Sequence, residues 1–284
     1  MASSARGIPL AIAISLTLFD RSLMAVRWLL LLRPVPPLMR PLLRRVMRIF
    51  FISTFVGTFL PGVGGELLRA YSLSQERVPM ALSVASVAMD RALGVMSILL
   101  LGVVAVWVAP ERAPAGVVPF LWVGTVVCAV LGVVIFSEVA ARPFVEIASR
   151  LPWSGPRRLA GRLLDAVREY RHHHGALSAA LAASVGVQVL RVVQAYFLGL
   201  SLGIGLALPV YFVAIPLILL IVLLPVSVNG IGTSQAAFVW CFGVLGIGRP
   251  EAFALSVLFV GLGMVGNLPG GFLYATGTMA RQTA

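Results

Sequence analysis

Long apolar runs, separated by short arginine-bearing segments, fill most of the chain. A helix needs about 20 apolar residues to cross roughly 30 Å of hydrocarbon. Candidate runs fall near residues 8–32, 80–109, 117–137, 176–201 and 250–276. The pattern predicts an all-α polytopic membrane protein with about five spanning helices. The first run contains Asp20 and Arg21 and no small-residue cleavage site, so we expect a retained helix rather than a signal peptide.

Two further apolar segments are interrupted and fit a spanning helix badly. Residues 49–60 supply only about 12 positions before Pro61, too few to cross the hydrocarbon. Arginines flank this segment on both sides, so the positive-inside rule places both of its ends in the cytoplasm. Residues 208–246 contain Pro225 and a glycine-bearing stretch near their middle. We therefore expect two re-entrant helical hairpins in addition to the spanning helices.

The sequences that follow the two interrupted segments are similar. "VPMALSVASV" begins at Val78 and "RPEAFALSVL" begins at Arg249, each with a proline near the expected start of a long helix. The two hairpins are expected to enter from opposite sides, so the similarity favours an inverted-topology repeat. The halves of such repeats usually meet at a site near the membrane midplane. The alternative is that the glycine and proline breaks only bend packed helices.

Composition excludes a soluble domain and indicates where the positive charge of the chain lies. The 284 residues are 60% hydrophobic and 11% charged, and their mean hydropathy is +1.00. All 22 basic residues are arginine, against 10 acidic residues, which gives a formal charge of +12. In a membrane protein this excess marks cytoplasmic loops that face anionic lipid, so we expect no nucleic acid partner. Cys128 and Cys241 lie in apolar stretches and are expected to be reduced packing residues.

The longest polar stretch, residues 138–175, contains seven arginines and four acidic residues. Its net positive charge predicts a cytoplasmic connection, with an amphipathic helix along the membrane surface near residues 156–171. We expect one transmembrane domain over residues 1–284, located in the cytoplasmic (inner) membrane.

Chemistry-bearing residues concentrate in "FVGTFLPGVGGELLRAY", residues 55–71. Irregular backbone at membrane depth needs protein or a water-filled cavity around it, so the glycines indicate a cavity. Gly64 and Gly65 would present N–H groups at a helix start, a place suited to anions. Arg69 lies one turn after Glu66, so both can face the cavity, with Arg69 binding phosphate and Glu66 holding the arginine or carrying a proton. The alternative is a buried Glu66–Arg69 pair that only closes the hairpin.

Other polar residues interrupt the apolar runs. Asp90 and Arg91 fall within 80–109, and Arg191 lies among glutamines at spacings of three. These groups need partners away from lipid, and both substrate contact and a structural or proton-carrying network satisfy that need. Asp20 and Arg21 are adjacent rather than a turn apart, so we do not expect them to pair simply across one helix face.

Two motifs are discounted. The consecutive His172, His173 and His174 splay around a helix, so we expect no metal site there. "GLGMVG" at 261–266 has dinucleotide-binding spacing, but it lies in an apolar run where small residues permit close helix packing. No cofactor is expected. We also expect no enzymatic activity, because no convergent nucleophile or acid–base set is apparent at membrane depth.

Three motifs together carry a family resemblance. "LPGVGGELLRAYSL", "LLPVSVNGIGTSQAAF" and "LPGGFLY" resemble the transmembrane family of lysylphosphatidylglycerol synthases, also called the flippase-like domain family. The resemblance covers nearly the whole chain. Glu66 and Arg69 match the family's Gly-Glu-Leu-x-Arg element. The family's Pro-x-Ser-x-Asn-Gly-x-Gly element is matched by Pro225, Ser227, Asn229, Gly230 and Gly232.

The resemblance implies a function in lipid transport. In the synthases this region moves an aminoacylated phospholipid across the membrane, so we expect a translocator of a phosphate-bearing lipid or lipid-linked carrier. Ser227, Asn229, Gly230 and Gln235 would then join the first hairpin in binding substrate. The family commonly has an acid where this chain has Gln235, which argues against ion coupling at that position.

The cytosolic aminoacyl transferase domain of the synthases has no room in this chain, so we expect no synthase activity. Expected partners are anionic or phosphate-bearing membrane lipids, together with a second copy of the chain or an envelope biosynthesis enzyme. The alternative function is a non-transporting membrane partner of an enzyme that makes envelope lipids or glycolipids.

Overall fold

The described part of the chain folds mainly into α-helices. A computed structural model describes residues 2–60, 62–108, 168–223 and 230–282, with isolated positions at 119, 122, 123, 125, 126, 129, 165 and 166. No strand occurs within these residues. The α-helices are α1 (Ala2–Leu30), α2 (Leu43–Gly57), α3 (Gly64–Ser74), α4 (Met80–Val108), α5 (His174–Ser201), α6 (Leu208–Leu223), α7 (Thr233–Val244), α8 (Arg249–Val265) and α9 (Leu268–Gln282). Single 3₁₀ turns occupy Pro37–Met39 and Tyr170–His172.

The long apolar helices confirm a polytopic membrane protein. In the described part of the chain, four helical stretches are long and apolar enough to span a bilayer: Gly7–Leu30, Met80–Val108, His174–Ser201 and Arg249–Thr276. They agree with four of the five predicted spans. The remaining prediction, 117–137, is described only at six isolated positions, and most of the connection at 138–175 lies outside the described residues.

The first interrupted segment forms a helical hairpin. Its two helices, α2 with 15 residues and α3 with 11, are about 22 and 16 Å long at 1.5 Å per residue, each shorter than the hydrocarbon layer. Helix α2 begins at Leu43, six residues before the predicted apolar start at 49. Arg45 near the start of α2 pairs with Glu76, just after α3, at 2.5 Å. The two ends of the hairpin therefore lie side by side, as re-entrance requires.

Glycines set how closely the two arms of this hairpin approach. A Cβ added to Gly65 would lie 2.6 Å from the Cα of Gly57 and 2.8 Å from the carbonyl oxygen of Ser53. Both contacts are with backbone, which cannot move away cheaply. Residue 65 is therefore glycine because α3 packs directly on the α2 backbone.

The second interrupted segment is also a helix, a break and a helix. Helices α6 and α7 flank residues 224–229, which lie outside the described residues, and the chain re-enters α7 through Gly230 and Gly232 at φ +75° and +87°. These are left-handed values that favour glycine. Aromatic rings join the two helices to the core: Tyr211 lies 5.4 Å from Phe242, which stacks on Phe238 at 5.7 Å. Both predicted hairpins are thus pairs of packed helices.

The predicted span 250–276 is not one uninterrupted helix. The helical run breaks at Gly266 and Asn267, which separate α8 from α9. Helix α9 packs against α2 of the first hairpin. A Cβ on Gly270 would lie 2.0 Å from the carbonyl oxygen of Phe51, and one on Gly271 would lie 2.8 Å from the ring of Phe55. The glycine pair of "LPGGFLY" therefore lets α9 lie against the hairpin.

The order of elements is the same in the two halves. A broken helix pair precedes a long helix in α2–α3–α4 and again in α6–α7–α8. Pro250 occupies the first turn of α8, as predicted for a proline that needs no helical N–H partner. The opposite membrane orientation of the two halves remains a prediction.

Gly270→Ala should destabilise the fold by about 1–3 kcal/mol, because overpacking against an immobile carbonyl forces α9 away from α2. Gly261→Ala is the matched control, since Gly261 has nothing within 4 Å of an added Cβ. Helix propensity favours alanine over glycine at both positions, by up to about 1 kcal/mol in a helix interior such as that around Gly261. Thermal unfolding in detergent should show a lower midpoint for Gly270→Ala only. Equal midpoints for the two variants would contradict the close α2–α9 contact.

Labelling from one side of the membrane tests whether the first hairpin is re-entrant. Single cysteines at the exposed Arg44 and Gln75, in a chain with Cys128 and Cys241 replaced by alanine, should both react with a membrane-impermeant maleimide from the cytoplasmic face. The reason is that arginines flank both ends of the hairpin and the ends are joined by the Arg45–Glu76 pair. Modification of the two positions from opposite faces would show that the segment crosses the bilayer.

Candidate functional site

Glu66, predicted to work with Arg69, pairs with a different arginine. Its carboxylate contacts the guanidinium of Arg91 on α4. The side chains are 29% and 43% exposed, so this pair is accessible rather than deeply buried. Glu66 therefore does not hold Arg69, and the alternative of a closing Glu66–Arg69 pair is not what the structure contains. The contact instead ties the start of α3 to α4.

Arg69 is buried and surrounded by partners. Its Nε donates to the Ser53 hydroxyl and its Nη2 to the Thr54 hydroxyl, both at 3.2 Å on α2. Its guanidinium carbon lies 4.5 Å from the centroid of Phe50 and 5.4 Å from that of Trp28. Such stacking compensates a desolvated guanidinium. The guanidinium of Arg69 is thus held by two hydroxyl groups and by two aromatic rings.

The carboxylate of Asp90 joins three helices. Arg27 of α1 donates to one oxygen at 2.7 Å, and Arg69 of α3 donates to the other at 3.4 Å. Arg27 also donates to the Ser184 hydroxyl on α5 at 3.3 Å. We call Arg27, Arg69 and Asp90 the hairpin cluster. Its three members are each more than nine-tenths buried. Arg91, the neighbour of Asp90 in the sequence, pairs with Glu66 instead, and a role of Asp90 in substrate contact or proton transfer stays a prediction.

A second cluster has the same composition. Asp20 lies between Arg21, 3.0 Å away, and Arg191 of α5, 3.3 Å away. The adjacent Asp20 and Arg21 do pair, contrary to expectation, because Nη1 of Arg21 turns back onto Oδ2 of Asp20, whose other oxygen faces Arg191. The Arg191 contact has ion-pair distance but not hydrogen-bond geometry. We call Asp20, Arg21 and Arg191 the cavity cluster.

This cluster borders a cavity of about 160 Å³. Its lining comes from α1, α5, α6, α8 and the α8–α9 break: Thr17, Asp20, Arg21, Arg191, Gln194, Leu219, Phe259, Val260, Gly263, Met264 and Asn267. Because α1, α5 and α8 belong to long apolar stretches, the polar groups face inward among helices whose outer surfaces suit lipid. Arg191, a predicted substrate contact, therefore does line a cavity.

Several buried polar atoms around the cavity have no hydrogen-bond partner among the described residues. They are Oδ1 of Asp20, Nε of Arg21 and Oδ1 of Asn267. The Arg21 Nη2 does donate to the Gly263 carbonyl at 3.0 Å, and the Asn267 amide donates to Thr58 at 2.8 Å. Buried polar atoms are nearly always paired in native proteins. A group that enters the cavity can therefore gain both a donor and acceptors.

The two clusters differ in how completely they are satisfied. Each contains two arginines and one aspartate, so each has a net charge of +1 (two minus one). In the hairpin cluster, hydroxyls and aromatic rings surround the extra positive charge. In the cavity cluster, the two arginines contact the Met24 sulfur, Arg21 also donates to the Gly263 carbonyl, and both border open volume. The hairpin cluster is thus suited to hold the fold, and the cavity cluster to receive a ligand.

The remaining predicted residues have local structural tasks. Gly64 begins α3, and its Cβ would meet Leu60 at 2.7 Å. Gly230 turns the chain into α7 against Val222. The Gln235 side-chain oxygen accepts the N–H of Gly232 at 2.6 Å and so caps α7. Their roles in binding substrate stay predictions.

Ser227 and Asn229 lie outside the described residues. Sequence reasoning gave Asp20 and Arg21 little weight and missed Asn267. The available signals were two charges within the first apolar run, and an asparagine followed by "LPGG" within the last.

Comparison with known families accounts for nearly the whole chain. The model of the lysylphosphatidylglycerol synthase TM region matches residues 2–270. No curated protein and no solved structure matches the chain. Among the described residues of the motifs that suggested this family, the α9 glycines contact α2 of the first hairpin, and Ala237 and Phe238 at the end of the second motif lie in the core. The chain belongs to the lysylphosphatidylglycerol synthase transmembrane-region family.

Proposed function

We propose that the protein translocates a phosphate-bearing lipid, or a lipid-linked carrier, across the cytoplasmic membrane. The observation that carries the proposal is the cavity bordered by Asp20, Arg21 and Arg191 within long apolar helices. A charged group in the membrane interior is costly, and such groups mark substrate or ion pathways. A lipid headgroup needs a polar route of this kind while its chains stay in the bilayer.

The broken helices support the same proposal. Both hairpins interrupt their helices next to the packed core, and a third break, at Gly266 and Asn267, lies at the cavity itself. In transporters, discontinuous helices supply polar backbone at the binding site and are the elements that move. Family membership adds that the region is associated with lipid-related processes.

The chemistry of the cavity fits transport better than catalysis. Its charged groups are one carboxylate and two guanidiniums, and an arginine does not exchange its proton in proteins. The cluster can therefore hold and release an anion but is poorly equipped for acid–base work. A non-transporting partner of an envelope enzyme is the competing function. It would give a folded protein that moves no lipid.

Filling the cavity should slow transport without unfolding the protein. Gly263 lines the cavity and an added Cβ lies 3.5 Å from Arg21, so Gly263→Leu places an apolar group where the headgroup would pass. Vesicles that contain the wild type should move fluorescent phosphatidylglycerol between leaflets faster than protein-free vesicles, and Gly263→Leu should reduce that rate at least about tenfold, the effect of about 1.4 kcal/mol.

Gly261→Leu is the control for this experiment, because position 261 is on the same helix and has open space around it. Its transport rate should equal that of the wild type. A folded wild type no faster than protein-free vesicles would support the competing partner function. Equal transport rates for the two leucine variants would show that the cavity is not part of the transport pathway.

Gln235→Glu should keep the fold but add pH dependence to transport. The new carboxylate retains the oxygen that caps α7, and a negative charge at a helix start is favourable. It also introduces a titrating group at the second hairpin, where the glutamine cannot take up a proton near neutral pH. Transport by both forms should be measured against pH in identical vesicles.

Gln235→Leu is the control for the cap and should lower stability by about 1 kcal/mol. If Gln235→Glu and the wild type give the same pH profile, position 235 does not influence the pathway.

A further inference from the structure

Glu66 and Arg91 form an ion pair that is both partly exposed and deep in the membrane. Arg91 is the twelfth of the 29 residues of α4, three residues from the middle of that spanning helix, or about 4.5 Å along its axis. Glu66 contacts Arg91 and so lies at a similar depth. Their side chains are 29% and 43% exposed, whereas those of Asp20 and Asp90 are 4% and 9% exposed. The Glu66–Arg91 pair therefore faces outward from the described helices near the bilayer midplane.

Hydrocarbon chains cannot satisfy a charged pair at this depth. The contact joins Nη1 of Arg91 to Oε1 of Glu66. A guanidinium carries several N–H donors and a carboxylate several acceptor sites, so both groups can take further partners. Lipid chains offer none, and a charge near the bilayer centre is unfavourable unless it is paired or faces water. A polar partner is therefore needed over this surface.

Apolar and small side chains lie around the pair. Leu67 and Tyr71, one helical turn apart on α3, are 62% and 55% exposed. Ala88, one turn before Arg91 on α4, is also exposed. We call Glu66, Leu67, Tyr71, Ala88 and Arg91 the α3–α4 face. Polar groups that pair between helices, next to small residues that allow close approach, are typical of helix contacts in lipid.

The charges of the α3–α4 face select its partner. Glu66 contributes one negative charge and Arg91 one positive charge, so the pair is neutral. A simple anion or cation would leave the site with a net charge, which is unfavourable in a low-dielectric medium. A partner that presents one acid and one base at the same depth leaves no net charge. A second copy of the chain presents such a pair.

Two-fold symmetry brings opposite charges together. In a symmetric dimer the same patch occurs on both sides, so residue i of one copy contacts residue j of the other, and j contacts i. A two-fold axis along the membrane normal keeps every residue at its own depth. Arg91 of one copy can then meet Glu66 of the second copy, and the four charges alternate in sign around the axis. A face with charges of one sign would repel its own copy.

We propose that the α3–α4 face is a contact surface between two copies of the chain, in which Arg91 of each copy pairs with Glu66 of the other. A two-fold axis along the membrane normal relates the copies, and Leu67 and Tyr71 keep lipid away from the charges. Association of two copies is measured without reference to lipid transport, so its outcome is independent of the proposed function.

Charge reversal tests which residues meet across the axis. Glu66→Arg gives a symmetric dimer four positive charges and Arg91→Glu gives it four negative charges, so neither variant should associate with itself. Expressed together with different affinity tags, the two variants supply two positive charges on one copy and two negative charges on the other. Recovery of one tag with the other should fall at least about tenfold for each variant alone. It should return to the wild-type level in the mixture.

Mixing the variants separates association from folding. Each variant lacks the Glu66–Arg91 pair within its own chain whether or not the other is present, so mixing cannot repair that loss. Arg45→Glu and Glu76→Arg are the matched controls, because they reverse charges in a pair at the ends of the first hairpin. Each control should associate with itself as the wild type does. Self-association of Glu66→Arg at the wild-type level, or no recovery in a mixture of folded variants, would overturn the assignment.

Cross-linking leaves the charge pair intact and decides the proposal even if the charge variants do not fold. Single cysteines at Leu67 or Ala88, in a chain with Cys128 and Cys241 replaced by alanine, should give covalent dimers with a membrane-permeant bifunctional maleimide. Leu18→Cys is the matched control, because Leu18 is 49% exposed near the middle of the first spanning stretch. It should stay monomeric.

Other occupants of the face give different results. Equal cross-linking of the Ala88→Cys and Leu18→Cys chains would indicate random collision and overturn the assignment. Absence of covalent dimers at both positions 67 and 88 would also reject a second copy. In that case, reaction of Leu67→Cys with a membrane-impermeant maleimide would show that water covers the pair. Lack of reaction would show that lipid or another part of the chain covers it.

Discussion

The carboxylate of Asp90 is the contact on which the arrangement of the helices depends. It accepts hydrogen bonds from Arg27 on α1 and Arg69 on α3, and Arg27 extends the connection to Ser184 on α5. Buried ions survive only when paired, and removing one partner of a buried pair typically costs 3–5 kcal/mol. The hairpin cluster thus makes the position of the first hairpin conditional on the correct packing of α1, α4 and α5.

Close backbone contacts at glycines also hold the first hairpin in place. Gly65 brings α3 against one face of α2, and Gly270 brings α9 against another face of the same helix. Without a hydrophobic driving force between helices in lipid, small residues that permit close approach do much of the packing. The first hairpin is therefore fixed by ion pairs and aromatic stacking around Arg69 and by glycine contacts along α2. The second hairpin relies instead on rings such as Tyr211 and Phe242.

The lengths of the apolar runs and the positions of glycine and proline predicted the four long helical stretches that the structure describes and the interruption in each hairpin. Hydrocarbon thickness and helix-breaking residues act locally along the chain, so the sequence shows them directly. It could not predict that Glu66 would pair with Arg91, since that choice depends on how α3 lies on α4. The break at Asn267 was hidden because its neighbours keep the surrounding window apolar. Asp20 and Arg191 are far apart in sequence, and only the packing of α1 along α5 brings them within 3.3 Å.

Helix α2 connects the scaffold to the cavity. Thr54 accepts a hydrogen bond from Arg69 of the hairpin cluster, and Thr58, which caps the end of α2 with helical backbone angles, accepts one from Asn267 at the cavity. Residues four apart lie on the same face of a helix, so one polar face of α2 touches both sites. A displacement of the first hairpin relative to α9 would break the Thr58–Asn267 contact and free the asparagine amide beside the cavity. The same displacement would strain the Thr54–Arg69 contact, so the buried Asp90 pairs oppose it. Hairpin position and cavity polarity are therefore set by the same helix, with the charge pairs of one site restraining changes at the other.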